Sequence, residues 1–598
     1  MTLGQASFGA GMSPPDWPTA IREDAEQRQS AGWEPKAART LSGKNGVIAA
    51  IASPIAVESG IEALKNGGTA ADAAATVALT QVTTELGSVV SYAGVMALVY
   101  YDAKTNKVYS MDAGYNSYLN ETDPKSIPVC DLGPLNAKDR SGTAGGGNMP
   151  WRSPTSGGDK GRETLVPGFM AGIEALHKRF GKLPFSHLFQ PAIWYAEHGT
   201  TINSRLERCF IMRQKFLART PEGQQFMRQA GNDIPKQGDR FVQAQLATTL
   251  RAVSREGAKY MYKGAWGQHF VKVIQQEGGK VCSADMTGYQ ATWSEPLSTT
   301  YIGHEVFTAG APSQAAYHVL TGLNLAESLK LEERGNYWQD PAVLADLQRI
   351  SDATDRAPAL DERLLTLLKS KGIDSSPESQ LTKQYANALM PLLDQLYVSP
   401  QNEPHHSNSI VVIDKDGNIA AITHTINSVT WGDTGIIVDG IPIPDSAGFQ
   451  QERLASLKSG ARLPNEMVQT IVFKDKKPIL ATAAIGASMI PETLRIIVGL
   501  IGKKVDLESL QAAPPVMYNF MMAQPGKSAY DRGIVIPKGA YDEPFVKGLE
   551  RLNTRVTTIP AATASGLRGT VTAVTIDPLT AEKRTAETAG VLIFGDAY

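Results

Sequence analysis

The segment from residue 405 to 427, HHSNSIVVIDKDGNIAAITHTIN, constrains the fold more than any other. Two apolar runs, IVVI (410–413) and IAAITHTI (419–426), flank the sequence DKDGN (414–418). A turn rich in Asp, Gly and Asn between two β-rich runs is a hairpin signature. The first run reads as a buried strand, and Ser407 stands at its mouth. If the chain were cut before Ser407, the new N-terminus would carry a hydroxyl nucleophile and its own base. An α-amino group titrates near ~8, which suits proton abstraction at neutral pH. Taken locally, though, a serine before a strand is commonplace, so the idea needs support from elsewhere in the chain.

Composition narrows the setting. The 598 residues suffice for a large core, and 42% hydrophobic with 20% charged residues is ordinary for a globular protein. A net charge of −2 gives no reason to expect nucleic acid or an anionic membrane as partner. Cys130, Cys209 and Cys282 are scattered without CxxC spacing, which predicts neither a disulfide framework nor a zinc site. The first twenty residues lack a cationic start and an apolar run, so they do not read as a secretory signal. The apolar stretch 481–502 is interrupted by Pro491, Glu492 and Arg495 and reads as core rather than a membrane span. The expectation is a cytoplasmic protein without a cofactor.

Along the chain, residues 1–42 read as a polar extension anchored by Trp17 and Trp33. GVIAAIASPIA (46–56) predicts a strand running into a helix, and TAADAAATVALTQVTTEL (69–86) a buried helix. Residues 95–114 predict a hairpin, 166–202 two helices split at Gly181–Pro184, and 314–395 a charged helical stretch. The glycine-rich region 130–163 lacks the Gly-Lys-Ser/Thr spacing of a phosphate loop and reads as surface loop. Residues 467–488 predict two strands, 491–501 a helix, and 569–577 and 589–595 late strands. Helices and strands in alternating blocks predict sheets covered by helical layers.

Five strings, in this order, carry a resemblance: ALKNGGTAADAA (63–74), VPGFMAGIEALHKRFGKLPF (166–185), VVIDKDGN (411–418), THTIN (423–427) and the strand pair ending in IGAS (485–488). Over most of its length the chain resembles the γ-glutamyltransferases (glutathione hydrolases) of the N-terminal-nucleophile hydrolase superfamily. The resemblance implies an α/β, four-layer αββα fold and a precursor that cleaves itself. Family members cut before a threonine seven residues ahead of the Asp of the DKDGN turn, and here that position is Ser407. Cleavage between His406 and Ser407 would leave a large part, with 43–406 in the αββα domain, and a small part, 407–598, that remain associated. Ser409 is the nearby competitor. Thr425 and Asn427 are expected on the neighbouring strand, on one face, supporting nucleophile and substrate. Gly486 and Ala487 stand where the family has two glycines whose N–H groups form the oxyanion hole. Those donors survive the change to alanine if its φ is compatible. His405 and His406 point to opposite sides of an extended chain and lack a carboxylate at ligand spacing, so no metal is expected.

The resemblance fails at the substrate's head group. Family members that use glutathione hold its α-carboxylate with an arginine in D-x-R-E and with a serine pair. Here Gly114 replaces the arginine in Asp112-Ala113-Gly114-Tyr115, and Asn465-Glu466 replaces the serines. The acid pair after the lid becomes Pro-Asp-Ser-Ala-Gly-Phe (444–449). Each lost hydrogen bond to a charged group removes about 1.5–3 kcal/mol, and Glu466 would repel a carboxylate. The candidates around the altered head group are therefore Tyr115, Asn465 and Glu466, and glutathione is expected to be a poor substrate. The expected activity is hydrolysis of, or acyl transfer from, an amide of another small molecule. Cleavage of a C–C bond beside a carbonyl, and a non-catalytic, uncut ligand binder, are the alternatives.

Overall fold

The computed structural model describes residues 11–32, 35, 37–128, 159–354, 362–393, 407–517, 533–552, 554–561, 564 and 567–598. Among the described residues, fourteen strands form two large sheets. In chain order they are β1 (Arg39–Gly43), β2 (Val47–Ile51), β3 (Val95–Asp102), β4 (Lys107–Ala113), β5 (Thr292–Ser294), β6 (Leu297–Tyr301) and β7 (His304–Thr308). There follow β8 (Ser407–Ile413), β9 (Ile419–Thr425), β10 (Val468–Lys474), β11 (Lys477–Ile485), β12 (Thr570–Ile576), β13 (Lys583–Glu587) and β14 (Ile593–Ala597). One sheet runs β1-β13-β12-β11-β10-β7-β6 and the other β14-β2-β8-β9-β3-β4-β5. Every neighbouring pair is antiparallel.

The sheets pack face to face, and helices cover their outer sides. The helices include α1 (Thr19–Ala31), α2 (Pro54–Lys65), α3 (Ala70–Thr84), α4 (Phe169–Phe180), α5 (Gln190–His198), α6 (Ser204–Leu217), α7 (Gln314–Ser328), α8 (Pro341–Thr354), α9 (Gln451–Ala455) and α10 (Met489–Ile497). Helices α2 and α3 lie on the sheet containing β8, while α7 and α10 lie on the other. This is the αββα sandwich that the strings of sequence imply. VIAAI in β2 is buried throughout, as a strand covered on both faces must be. Ser53 caps α2, accepting from the Ala56 N–H at 3.2 Å, and Pro54 takes the first turn. Residues 481–485 belong to β11 and 489–497 to α10, so the apolar stretch there is two elements joined by a turn. The N-terminal extension overlaps the body: β1 pairs with β13, and Trp17 packs on Tyr195 of α5. Most of the glycine-rich region, with Cys130, lies outside the described residues, as do His405 and His406.

Three of the five strings meet at the start of α3. The Asp72 carboxylate closes a capping box with Thr69 and accepts from the Lys182 and Leu183 N–H groups at 2.8 and 3.2 Å. Asp414, in the hairpin turn, accepts from the Ala70 N–H at 2.9 Å. It also accepts from the N–H groups of Asp416 and Asn418 and from the Asn418 side chain. Asp414→Ala should therefore lower unfolding stability by about 3 kcal/mol, the scale of one or two hydrogen bonds to a charged group. Urea unfolding of the purified variant measures the loss.

Candidate active site

Alternation along β8 sorts its side chains. The Ser409 hydroxyl meets that of Thr572 on the opposing sheet at 3.0 Å, so odd-numbered residues face between the sheets. Asn408 points the other way and donates to Glu85, just past α3, at 2.7 Å. Ser407 shares the inter-sheet face but lies at the strand's end, where a cleft opens. Thr423, Asn427, Phe449, Gln450, Arg453, Glu466, Met467, Ala484 and Met489 line that cleft with it. Ser409 is sealed from solvent and is not part of the cleft wall.

Thr425 is the residue of β9 directly across from Ser407. Its hydroxyl accepts from the Asn427 N–H at 3.1 Å. Asn427 itself lies beyond the strand. Its φ of 47° turns the chain out of the ladder, and asparagine tolerates that region better than most residues. The expectation that both sit on the strand holds for Thr425 alone. Asn427 reaches the cleft because the chain turns there. His424, the residue before Thr425, faces α3 and bonds Gln81 at 2.8 Å. Burial pushes its pKa down to about 3, so it stays neutral.

Gly486 and Ala487 form the turn from β11 into α10, between the cleft residues Ala484 and Met489. Gly486 has φ +90°, and a Cβ there would lie 2.8 Å from the Arg568 carbonyl oxygen. Ala487 is not among the residues with positive φ, so alanine fits without strain. The turn leads into the N-terminus of α10, where helical N–H groups favour negative charge. Neither residue is part of the cleft wall itself.

The head-group candidates divide. Glu466 is on the cleft wall and forms an ion pair with Arg453 of α9. Tyr115 and Asn465 stand behind the wall. Tyr115 is 2% exposed and donates to the Ile426 carbonyl at 3.2 Å. The Asn465 amide donates to Asp112 at 2.6 Å. Asp112 is also ion-paired with Arg462, which donates to Asn116 at 2.6 Å. A Cβ on Gly114 would lie 3.1 Å from Asp112 and 3.3 Å from Arg462, so these two residues crowd the space beside Gly114. In the 444–449 segment, Asp445 is buried and accepts from Ser428, and the chain then presents Phe449 and Gln450 to the cleft.

Comparison with known proteins identifies the family. The family described as gamma-glutamyltranspeptidase matches residues 56–589. The chain belongs to the gamma-glutamyltranspeptidase family. It is 26% identical over 514 residues to the glutathione hydrolase proenzyme of Bacillus subtilis (strain 168), covering 80% of this chain and 81% of that one. It is 28% identical over 374 residues to the acylase ACY 1 proenzyme of Pseudomonas sp. (strain SE83), covering 59% and 64%. The solved cephalosporin acylase from Bacillus halodurans shares the fold, with a TM-score of 0.71, 17% identity and coverage of 94% of this chain and 98% of that one. This gamma-glutamyltranspeptidase-family chain is therefore an enzyme of the N-terminal-nucleophile hydrolase type.

Sequence reasoning missed Thr423, Phe449, Gln450, Arg453, Met467, Ala484 and Met489 as cleft residues. Met467 and Met489 directly follow residues that the sequence marks out and need only the strand and helix registers to be placed. Arg453 leaves no such signal. Its pairing with Glu466 is a tertiary contact between α9 and the segment before β10, and no sequence period encodes it. The ion pair also corrects the electrostatic picture, because Glu466 does not face a substrate as a lone charge. Among the described residues no cluster of three or more metal-ligating side chains occurs, and no helix is long and apolar enough to cross a membrane.

Proposed function

We propose that this enzyme cleaves itself before Ser407 and then transfers or hydrolyses acyl groups from amides other than γ-glutamyl compounds. The position of Ser407 carries the reading: it is the hydroxyl residue of β8 that reaches the cleft, seven residues ahead of Asp414. In maturation the Ser407 Oγ adds to the His406 carbonyl carbon and the C–N bond breaks. This leaves an ester and a free α-amine, and water hydrolyses the ester. In turnover the α-amine takes the Oγ proton as Oγ attacks the substrate amide. The N–H groups of Gly486 and Ala487 receive the developing oxyanion, and the departing amine takes the proton. Water or an acceptor amine then releases the acyl group and restores Oγ–H.

The substrate class follows from the walls. Phe449, Met467, Ala484 and Met489 offer apolar surface, while Asn427 and Gln450 offer neutral hydrogen-bonding groups. The Arg453–Glu466 pair brings no net charge. An acyl group with an apolar body and an uncharged polar end suits this cleft, and the α-amino-acid end of glutathione does not. Glu466→Gln removes the negative charge of the pair and leaves the wall with a net positive charge. It should raise kcat/KM for acyl donors ending in a carboxylate by about tenfold, or about 1.4 kcal/mol, and leave neutral donors within about twofold. Paired kinetics on one neutral and one anionic acyl amide measures this.

Intact mass with N-terminal sequencing tests the function. The expected result is two associated fragments of 406 and 192 residues, the smaller beginning Ser-Asn-Ser, and an acyl adduct on residue 407 during turnover. A single uncut chain that still turns over amides, or a small fragment starting at Ser409, rules the proposal out.

A further inference from the structure

Directly behind the nucleophile lies a buried pair of groups that the mechanism does not use. Glu85 follows the last residue of α3 and has no exposed surface. Asn408, the residue after Ser407, is equally buried. The Asn408 amide Nδ2 donates to Glu85 Oε1 at 2.7 Å. The other oxygen of each group, Glu85 Oε2 and Asn408 Oδ1, is buried without a hydrogen-bond partner. Two orphaned acceptors on the two members of one hydrogen bond are what remains when a shared proton is left out. Stranded acceptors in a core are strongly disfavoured.

We infer that Glu85 is a protonated positioning residue, whose Oε2–H donates to Asn408 Oδ1 and closes a two-bond acid–amide ring that holds the nucleophile end of β8. A single proton satisfies both orphans. Exchange of Asn408 Oδ1 and Nδ2 by an amide flip yields the same ring with the proton on Oε1. Burial is the largest influence on Glu85 and raises its pKa to about 8, opposed by the Arg205 cation of α6 and by the Asn408 bond. Arg208 and Arg213 are further cations of α6, acting on Cys209 and not on Glu85. His424 of β9 bonds Gln81, one turn before Glu85, and is held neutral by burial. The phenol of Tyr92, bonded to Thr83, and the Cys209 thiol of α6 are pushed up by burial.

The consequence is an alkaline limit distinct from the α-amine of Ser407. Deprotonating that amine switches the base on, whereas deprotonating Glu85 opens the ring. The catalytic half of the inference rests on Ser407 being the nucleophile, but the ring does not. The sign of the stability effect follows from proton binding. The folded chain keeps a proton on Glu85 that the unfolded chain loses near its ordinary pKa, so stability contributed by the ring falls as pH rises from that value to about 8 and is flat above.

Glu85→Gln is the decisive variant, because a glutamine amide can give and accept the same two hydrogen bonds without titrating. Thermal midpoints and amide-turnover rates are measured from pH 5 to pH 9.5 for the full chain, E85Q and E85A. The expected result is a wild-type midpoint that falls relative to E85Q up to about pH 8. The wild-type rate should fall above that pH, approaching tenfold per pH unit, and the fall should be absent in E85Q. E85A should turn over at least tenfold more slowly at every pH. An alkaline fall that persists in E85Q, or an E85Q as impaired as E85A, overturns the inference. If the midpoints behave as expected while no variant cleaves itself or turns over amides, the ring stands and the role of Ser407 falls.

Discussion

Ser407→Ala is expected to yield one uncut chain of 598 residues with no detectable acyl transfer. The substitution removes the maturation nucleophile, so no α-amine is released at this position. Nucleophile and base are lost together, and the expected fall in rate is at least about ten-thousandfold, as when a covalent catalytic group is deleted. The fold should survive. Ser407 sits at the end of β8, and the residues that anchor the strand, Ile410 through Ile413, are fully buried and untouched. The unfolding free energy should change by less than about 1 kcal/mol, within the range of substitutions outside the core. Ser407→Thr should restore cleavage, since threonine also carries a hydroxyl and suits a strand. Mass spectrometry of the three proteins after long incubation separates these outcomes. Cleavage at the same bond in the alanine variant would sink the assignment.

Gly486→Val should be the most damaging single change outside the nucleophile. Gly486 has φ +90°, where a β-branched residue is strained by about 1–2 kcal/mol. Its Cβ would also press on the Arg568 carbonyl oxygen and lie 3.3 Å from the Gly569 Cα, both rigid backbone. The sum is about 3 kcal/mol of stability, and the turn must shift to relieve it. A shifted turn misaims the N–H groups of residues 486 and 487, and losing such a donor costs about a hundredfold to a thousandfold in rate. Ala487→Gly is the control. Alanine there is unstrained, so glycine should leave cleavage rates within about twofold and cost at most about 1 kcal/mol. Denaturant unfolding and the time course of self-cleavage measure both variants. If the Gly486→Val variant were as active as wild type, the turn would have no part in charge stabilisation.

The sequence was most legible where local chemistry and long-range packing agree. The hairpin about DKDGN, the alanine-rich helix with its capping box and the split helices at Gly181–Pro184 fall where their turn and cap residues place them. The strings that carry the resemblance are mainly architectural. Three converge on Asp72 and Asp414, about 20 Å from Ser407 at the other end of β8. They identify the fold without reporting on specificity. Substrate recognition was the least legible part. The resemblance singles out Tyr115 and Asn465, but their hydrogen bonds turn them inward, to Ile426 and Asp112. Arg453 reaches the cleft through a tertiary turn that no periodicity announces. Strand β13 was missed because KRTAE alternates too weakly to stand out from a loop.

The order of strands in the two sheets has a consequence for what happens after a cut before Ser407. In one sheet β2, from before the cut, lies between β14 and β8, from after it, and β9 borders β3. In the other, β13 to β10 are flanked by β1 on one side and β7 on the other. The two polypeptides would be interwoven like fingers of clasped hands. Pulling them apart means unzipping backbone ladders along five separate seams, β14/β2, β2/β8, β9/β3, β1/β13 and β10/β7, which amounts to denaturation. The nicked molecule should melt in one cooperative step, and pieces made separately and mixed should not rebuild it, because each lacks the strands that template the other.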